Sequence, residues 1–219
     1  GVMAAWAEKH GARLVHYSTD YVFDGQLDRP YREDDATAPL NVYGATKLAG
    51  EQAILATKAQ AWVFRTTWVF AAHGANFLKT MLRLGQERDA LSVVNDQIGA
   101  PTSASWLAEV TARLIEAENT PATGVYHLAA AGSTHWQGYA QFVLSEAQRL
   151  GVSLKVNPEQ VAGIPSSAYP TPAQRPMNSR LNSDALMGAL GLSAPDWRTD
   201  VAQVTAELVG QAKSSSKSV

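Results

Sequence analysis

Two short runs bring together side chains that could do chemistry. The first is 17-YSTDYVFDG-25, where an apolar stretch ends in Ser18, Thr19 and Asp20; the second is 43-YGATK-47. Tyr43 and Lys47 stand at i and i+4, so on a helix they share one face, a turn apart. A lysine ammonium near a phenol stabilises the phenolate and lowers its pKa from the usual ~10 toward the working pH. Such a tyrosine can exchange a proton with a substrate hydroxyl or carbonyl as a general acid/base. A hydroxyl from Ser18 or Thr19 could hold the same oxygen. The spacing alone is weak evidence, because a surface lysine beside a half-buried tyrosine produces the same pattern. Gly44 adds weight, since an early helical glycine costs ~1 kcal/mol against alanine unless a close approach requires it.

These residues need elements to carry them. Helical periodicity runs over 2–9 and closes at Gly11, and 12-ARLVHY-17 reads as a short buried strand. A polar loop from 19 to 40 leads to Asn41, a natural N-cap for a helix reaching about residue 58. The first half of 61-AWVFRTTWVF-70 reads as a second buried strand, and further strands are expected at 91–94 and 124–130. Helices are expected over 77–87, 103–118, 134–150, 183–190 and 196–212, with a proline-rich irregular loop over 165–181. Strands alternating with helices imply βαβ units and a parallel sheet, the α/β class. In a doubly wound sheet ligands sit beyond the carboxyl ends of the strands, where Thr19, Asp20 and Thr66–Trp68 fall.

Composition narrows the function classes. The chain has 219 residues, 46% hydrophobic and 17% charged, and a formal net charge of -2, which suits a globular protein with a substantial core. No basic block points to nucleic acid or an anionic membrane. With no cysteine, disulfide scaffolds and thiolate metal sites are excluded. No apolar run approaches the ~18 residues of a membrane span, and residues 1–10 lack the order of a signal peptide, so a cytoplasmic protein is expected.

The Ser/Thr and Tyr-x-x-x-Lys set resembles the extended short-chain dehydrogenase/reductase superfamily. Longer strings are narrower: 16-HYSTDYVFDG-25, 36-ATAPLNVYGATKLAGE-51, 64-FRTTWVF-70, 91-LSVVNDQIGAPT-102 and 168-AYPTPAQRPMNSRL-181 resemble the dTDP-4-dehydrorhamnose reductases. The likeness covers about residues 1–210. It implies NADPH- or NADH-dependent reduction of a 4-keto sugar nucleotide to dTDP-L-rhamnose, for surface polysaccharide synthesis. The fold implied is the C-terminal part of a Rossmann-type parallel sheet (residues 1–70 and 101–131) plus a smaller α/β substrate-binding domain (71–100 and 132–212), with a frayed tail at 213–219.

Carried over position by position, Thr19, Tyr43 and Lys47 match the family's catalytic triad. Tyr43 would protonate the 4-keto oxygen, and Lys47 would also bind the nicotinamide ribose. Thr19, Asp20, Tyr21, Trp68, Asn76 and Phe77 match substrate-contacting positions, and Arg175 could pair with the diphosphate through its planar fork. Duller readings stand beside these: Trp68 or Tyr21 as core, Arg175 as a brace for its loop, His16 and His127 as satisfied strand residues. Related dehydratases follow the catalytic threonine with Asp-Glu, whereas here the run is Thr19-Asp20-Tyr21, which favours reduction over elimination of water.

The resemblance also exposes departures. A glycine-rich turn should admit the cofactor pyrophosphate to a helix N-terminus, yet none of the sixteen glycines forms even a G-x-G. Roughly the first third of the full enzyme is therefore expected to lie upstream of Gly1, leaving the first strand as an open apolar edge and this chain inactive alone. Some members hold Mg²⁺ between acidic residues at a homodimer interface; Glu207 fits one position but Ser105 occupies another, so Mg²⁺ is not expected. Other sugar-nucleotide epimerases or dehydrogenases, and a non-catalytic subunit like the β subunit of methionine adenosyltransferase, remain alternatives.

Overall fold

The computed structural model describes residues 1–216, which divide into two compact units. The first comprises Gly1–Thr67, Trp106–Ala129 and Thr171–Ala194; the second comprises Trp68–Ser105, Ala130–Pro170 and the chain from Pro195 onward.

The first unit is built on three parallel strands in the order β1 (Arg13–Thr19), β2 (Gln60–Thr66), β7 (Gly124–His127). The central strand β2 is buried on both faces, which is why it reads as an apolar run without polar alternation. Its side chains nevertheless alternate in direction. Ala61 and Val63 pack with Ala4 and Ala7 of α1 (Val2–His10) and Ile54 of α2 (Val42–Leu55). Trp62 and Phe64 pack with Leu107, Val110 and Leu114 of α4 (Ala104–Glu116) and Leu186 and Met187 of α6 (Asp184–Leu190). Helices on both faces make this a doubly wound layer. Gly11, at φ 63°, ends α1 in the left-handed conformation that glycine adopts without penalty.

Segment 171–194, expected in the smaller domain, clusters with this first unit. Its anchors are local: Leu181 bridges Tyr31, and Asn178 Nδ2 donates to the Leu27 and Arg29 carbonyls at 2.7 and 2.8 Å. Gly25, at φ 74°, lets the segment approach, since a Cβ there would lie 2.6 Å from Pro176 Cβ.

The second unit packs α3 (Phe77–Glu87), α5 (Trp136–Arg149) and α7 (Trp197–Ser216) around Leu78, Met81, Tyr139, Val143, Leu144, Trp197 and Val201. Strand pairs flank them: β3 (Val69–Phe70) with β6 (Thr102–Ser103), β4 (Ser92–Val94) with β9 (Ala162–Ile164), and β5 (Ile98–Gly99) with β8 (Thr134–His135). The helix expected from residue 134 thus begins two residues later, because Thr134 and His135 pair with β5 and His135 Nδ1 accepts from Gly138 N at 2.9 Å as the N-cap. The stretch expected to fray from residue 213 is helical through Ser216, with Lys213 Nζ donating to the Leu150 carbonyl at 2.9 Å; residues 217–219 lie outside the described residues. No helix among the described residues is long and apolar enough to cross a membrane.

Candidate active site

At its carboxyl end β1 passes directly into a one-turn 3₁₀ helix, Asp20–Val22. Thr19 Oγ1 accepts from Tyr21 N at 3.2 Å and donates to Asp20 Oδ1 at 3.0 Å. Alternation along the strand sends Ser18 to the other face, where its hydroxyl donates to Glu51. Of the two hydroxyls considered from sequence, Ser18 is therefore committed to the scaffold.

Burial pushes the Asp20 carboxyl up to about 6, against the partial restraint of neighbouring hydroxyls from Ser179, Thr19 and Thr67. Its Oδ2 has no hydrogen-bond partner. A buried acceptor of this kind is costly unless something supplies a donor.

Tyr43 is the second residue of α2, and its side chain is exposed. The helix starts where it does because Asn41 Oδ1 accepts from Gly44 N at 2.8 Å while Asn41 Nδ2 donates to the Gln174 carbonyl at 2.8 Å. Gly44 is required by close approach: a Cβ there would lie 2.1 Å from the Tyr21 carbonyl oxygen. That contact sets the Tyr43 ring edge-on to the Tyr21 ring, with centroids 5.7 Å apart. Burial raises the Tyr21 phenol, as does Asp20, while Arg175 opposes the shift; Arg175 itself is exposed.

Lys47 lies one turn on, but its Nζ donates to the Tyr17 carbonyl at 2.5 Å and stands 3.5 Å from His16 Nε2. The sequence reading of His16 as a plain strand residue is thus incomplete, since it faces the lysine, and burial together with Lys47 lowers its pKa. His127 is a core residue but only half satisfied, since its Nε2 is buried without a hydrogen-bond partner. Its Nδ1 lies 3.0 Å from the Tyr31 carbonyl, and burial, with Arg65 nearby, drives its pKa down to about 3.

One turn beyond Lys47, Glu51 accepts from Arg65 Nη2 at 2.7 Å and from Arg65 Nε at 3.1 and 3.2 Å. This pair was missed from sequence. Its signal was a third helical step, Tyr43, Lys47, Glu51, together with an arginine inside an otherwise apolar strand.

The other expected residues lie in the second unit. Trp68 has φ 45°, and its ring stacks on Trp136 with centroids 3.7 Å apart and planes 16° apart. Phe77 leans on the same Trp136 at 4.7 Å. Asn76 caps α3: its Oδ1 accepts from Lys79 N at 3.0 Å and its Nδ2 donates to the Ala71 carbonyl at 2.7 Å. Both ends of its amide meet backbone, so Asn76 fixes the start of the helix that carries Phe77.

The residues fit one end of a nicotinamide cofactor. An ammonium carries three donors, and those of Lys47 beyond Tyr17 and His16 leave one for a ribose hydroxyl. For a pyrophosphate these 219 residues offer no glycine-rich turn. Among the described residues no group of three or more His, Asp or Glu is placed to hold a metal ion. Ser105 Oγ bonds to Ser103 Oγ at 3.1 Å, and Glu207 accepts from Gln211 Nε2 at 3.0 Å.

Comparison with known proteins follows the same residues. The family model for the RmlD substrate binding domain matches residues 1–209. The dTDP-4-dehydrorhamnose reductase of Escherichia coli K12 is 51% identical over 208 residues, covering 94% of this chain and 69% of that protein. A dTDP-4-keto-6-deoxy-D-glucose reductase of Streptomyces niveus is 37% identical over 202 residues, 92% of this chain and 67% of its own length. Among solved structures, the Bacillus anthracis dTDP-4-dehydrorhamnose reductase in complex with NADP superposes with a TM-score of 0.83 at 35% identity, over 93% of this chain and 69% of that one.

Proposed function

Because the chain belongs to the dTDP-4-dehydrorhamnose reductase family, we propose that its residues serve the NAD(P)H-dependent reduction of dTDP-4-dehydrorhamnose to dTDP-L-rhamnose. The observation that carries this reading is the convergence of Tyr21 and Tyr43, with Thr19 and Asp20 at the carboxyl end of β1 and Lys47 on the adjoining turn of α2. A nicotinamide, when bound, supplies the hydride. Tyr43 passes its phenolic proton to the 4-keto oxygen, and the Lys47 ammonium steadies the phenolate left behind. Thr19 turns its hydroxyl from Asp20 toward that oxygen. Asp20 Oδ2, lacking a partner, accepts from a sugar hydroxyl. Within the first unit Tyr21 supplies an apolar surface beside Tyr43 and the exposed Arg175 pairs with the diphosphate; within the second, Trp68 and Phe77 are the sugar-contacting aromatics that the family resemblance implies. Tyr21 has no carboxyl with which to assist elimination of water, so the chemistry stops at reduction.

The test joins this chain to the part of the E. coli relative that it does not cover, and supplies dTDP-4-dehydrorhamnose with NADPH. Cofactor oxidation in step with dTDP-L-rhamnose formation is the expected result. A protein that binds the sugar nucleotide yet oxidises no cofactor would count against the enzyme and for a regulatory subunit.

A further inference from the structure

Trp68 is the one non-glycine residue with positive φ among the described residues, at 45°. A bulky side chain adopts this conformation only where its surroundings over-determine it. Those surroundings are specific. Trp136 stacks on one face of the ring, and Gly99 packs over the other, where a Cβ would come within 2.6 Å of Trp68 Cε2. Phe77, the second aromatic assigned to the substrate, also rests on Trp136. One indole therefore supports both.

Trp136 is itself fixed by a directional chain of hydrogen bonds. The pairing of β5 with β8 sets Gln97 beside it, and Trp136 Nε1 donates to Gln97 Oε1 at 3.1 Å. Gln97 Nε2 donates to Ser166 Oγ at 3.0 Å. Ser166 Oγ gives its proton to Asp96 Oδ1 at 2.5 Å, while Ser166 N donates to Asp96 Oδ2 at 2.8 Å. A carboxylate only accepts, so the serine proton points to Asp96, the serine oxygen faces the amide nitrogen, and the amide oxygen faces the indole. The order of the chain admits one orientation of the Gln97 amide.

We infer that Trp136 and Gln97 are positioning residues that hold Trp68 and Phe77 as a fixed aromatic wall beside the hexose ring of a dTDP-sugar. The inference rests on the proposed function and deepens it. With both faces of Trp68 covered, its ring edge together with Phe77 offers the apolar surface that suits the C–H groups and methyl of a 6-deoxy sugar, and aromatic rings held in advance lose little freedom when the sugar arrives.

The experiment uses the chain itself, with dTDP-L-rhamnose and dTDP as separate calorimetric ligands and far-ultraviolet circular dichroism as an independent readout of the stacked pair. The wild type should show an indole exciton couplet that Trp68→Phe and Trp136→Phe each remove. Trp136→Phe should weaken dTDP-L-rhamnose roughly tenfold and leave dTDP unchanged. Gln97→Leu keeps both indoles, guards against a simple failure to fold, and should weaken the couplet and the sugar nucleotide by about threefold. Loss of the couplet with undiminished dTDP-L-rhamnose affinity would overturn the positioning role, as would equal losses for both ligands. A wild-type chain that binds neither ligand would overturn the proposed function, and the aromatic wall with it.

Discussion

Arg65 on β2 grips the carboxylate of Glu51 on α2 from two of its nitrogens, and neither side chain has appreciable contact with solvent. Glu51 also accepts from Ser18, so one carboxylate ties together β1, β2 and the helix bearing Tyr43 and Lys47. The guanidinium lies 5.0 Å over the Phe23 ring, which covers the pair from the loop side. Breaking such a pair from one side leaves a buried charge alone, whereas replacing both with apolar groups can be neutral. Glu51→Ala should therefore cost about 3–5 kcal/mol of stability. Glu51→Leu combined with Arg65→Met should recover most of it in urea unfolding.

Tyr43→Phe keeps the ring that meets Tyr21 and removes only the proton. In the joined protein, kcat should fall by about two orders of magnitude or more, with dTDP-sugar affinity little changed. A wild-type rate would remove Tyr43 from its role.

Gly44→Ala asks for a methyl group where the Tyr21 carbonyl already stands. The helix start must retreat from the 3₁₀ turn, so the variant should melt lower and lose turnover more than sugar-nucleotide affinity. Gly188→Ala, whose Cβ meets nothing within 4 Å, serves as the control and should leave both unchanged.

Two buried groups give stability opposite slopes with pH. Asp20 has its folded pKa raised from 3.8 to about 6, so its contribution is full below about 4 and is lost as pH rises through 6. His127 is depressed from 6.5 to about 3, so its contribution is full above about 6.5 and is lost as pH falls toward 3. Asp20→Asn should steepen the loss of stability on acidification between pH 6 and 4, and His127→Gln should flatten it. Denaturant midpoints across that range test both signs.

Calorimetry with NADPH should find only weak binding to these 219 residues, because Lys47 would serve only the ribose end of the cofactor and its pyrophosphate would meet no glycine-rich turn. Tight binding would mean that another element cradles the phosphates.

Much of this was legible because it is local. Helix α3 was placed correctly over 77–87, α2 was begun correctly at its N-cap Asn41, and the apolar run of β2 announced a buried strand. The close approach at Gly44 was visible as a glycine without another excuse. What escaped depends on contacts distant in sequence. Nothing near Gln97 says that its amide will meet Trp136, and the two-residue strands β5 and β8 are too short for any periodicity to reveal. Asn76 was read only as a sugar-contacting position, and its cap on α3 depends on the Ala71 carbonyl and the Lys79 amide that it meets. Segment 171–194 looked like part of the smaller domain because proline-rich sequence carries no record of the Leu27 and Arg29 carbonyls that tether it.

Among the described residues β1 stands at the end of its sheet, laddered to β2 alone. In a parallel pairing successive backbone amides point to opposite sides, so alternate amides along Arg13–Thr19 are locked against β2 while those between them face outward. Deuterium uptake along the strand should alternate accordingly. On the strand itself the Thr19–Asp20 corner then leans on one backbone ladder, and the side-chain ties of Ser18 to Glu51, Lys47 to the Tyr17 carbonyl and Thr19 to Tyr21 N take over the stiffening that a second ladder would give.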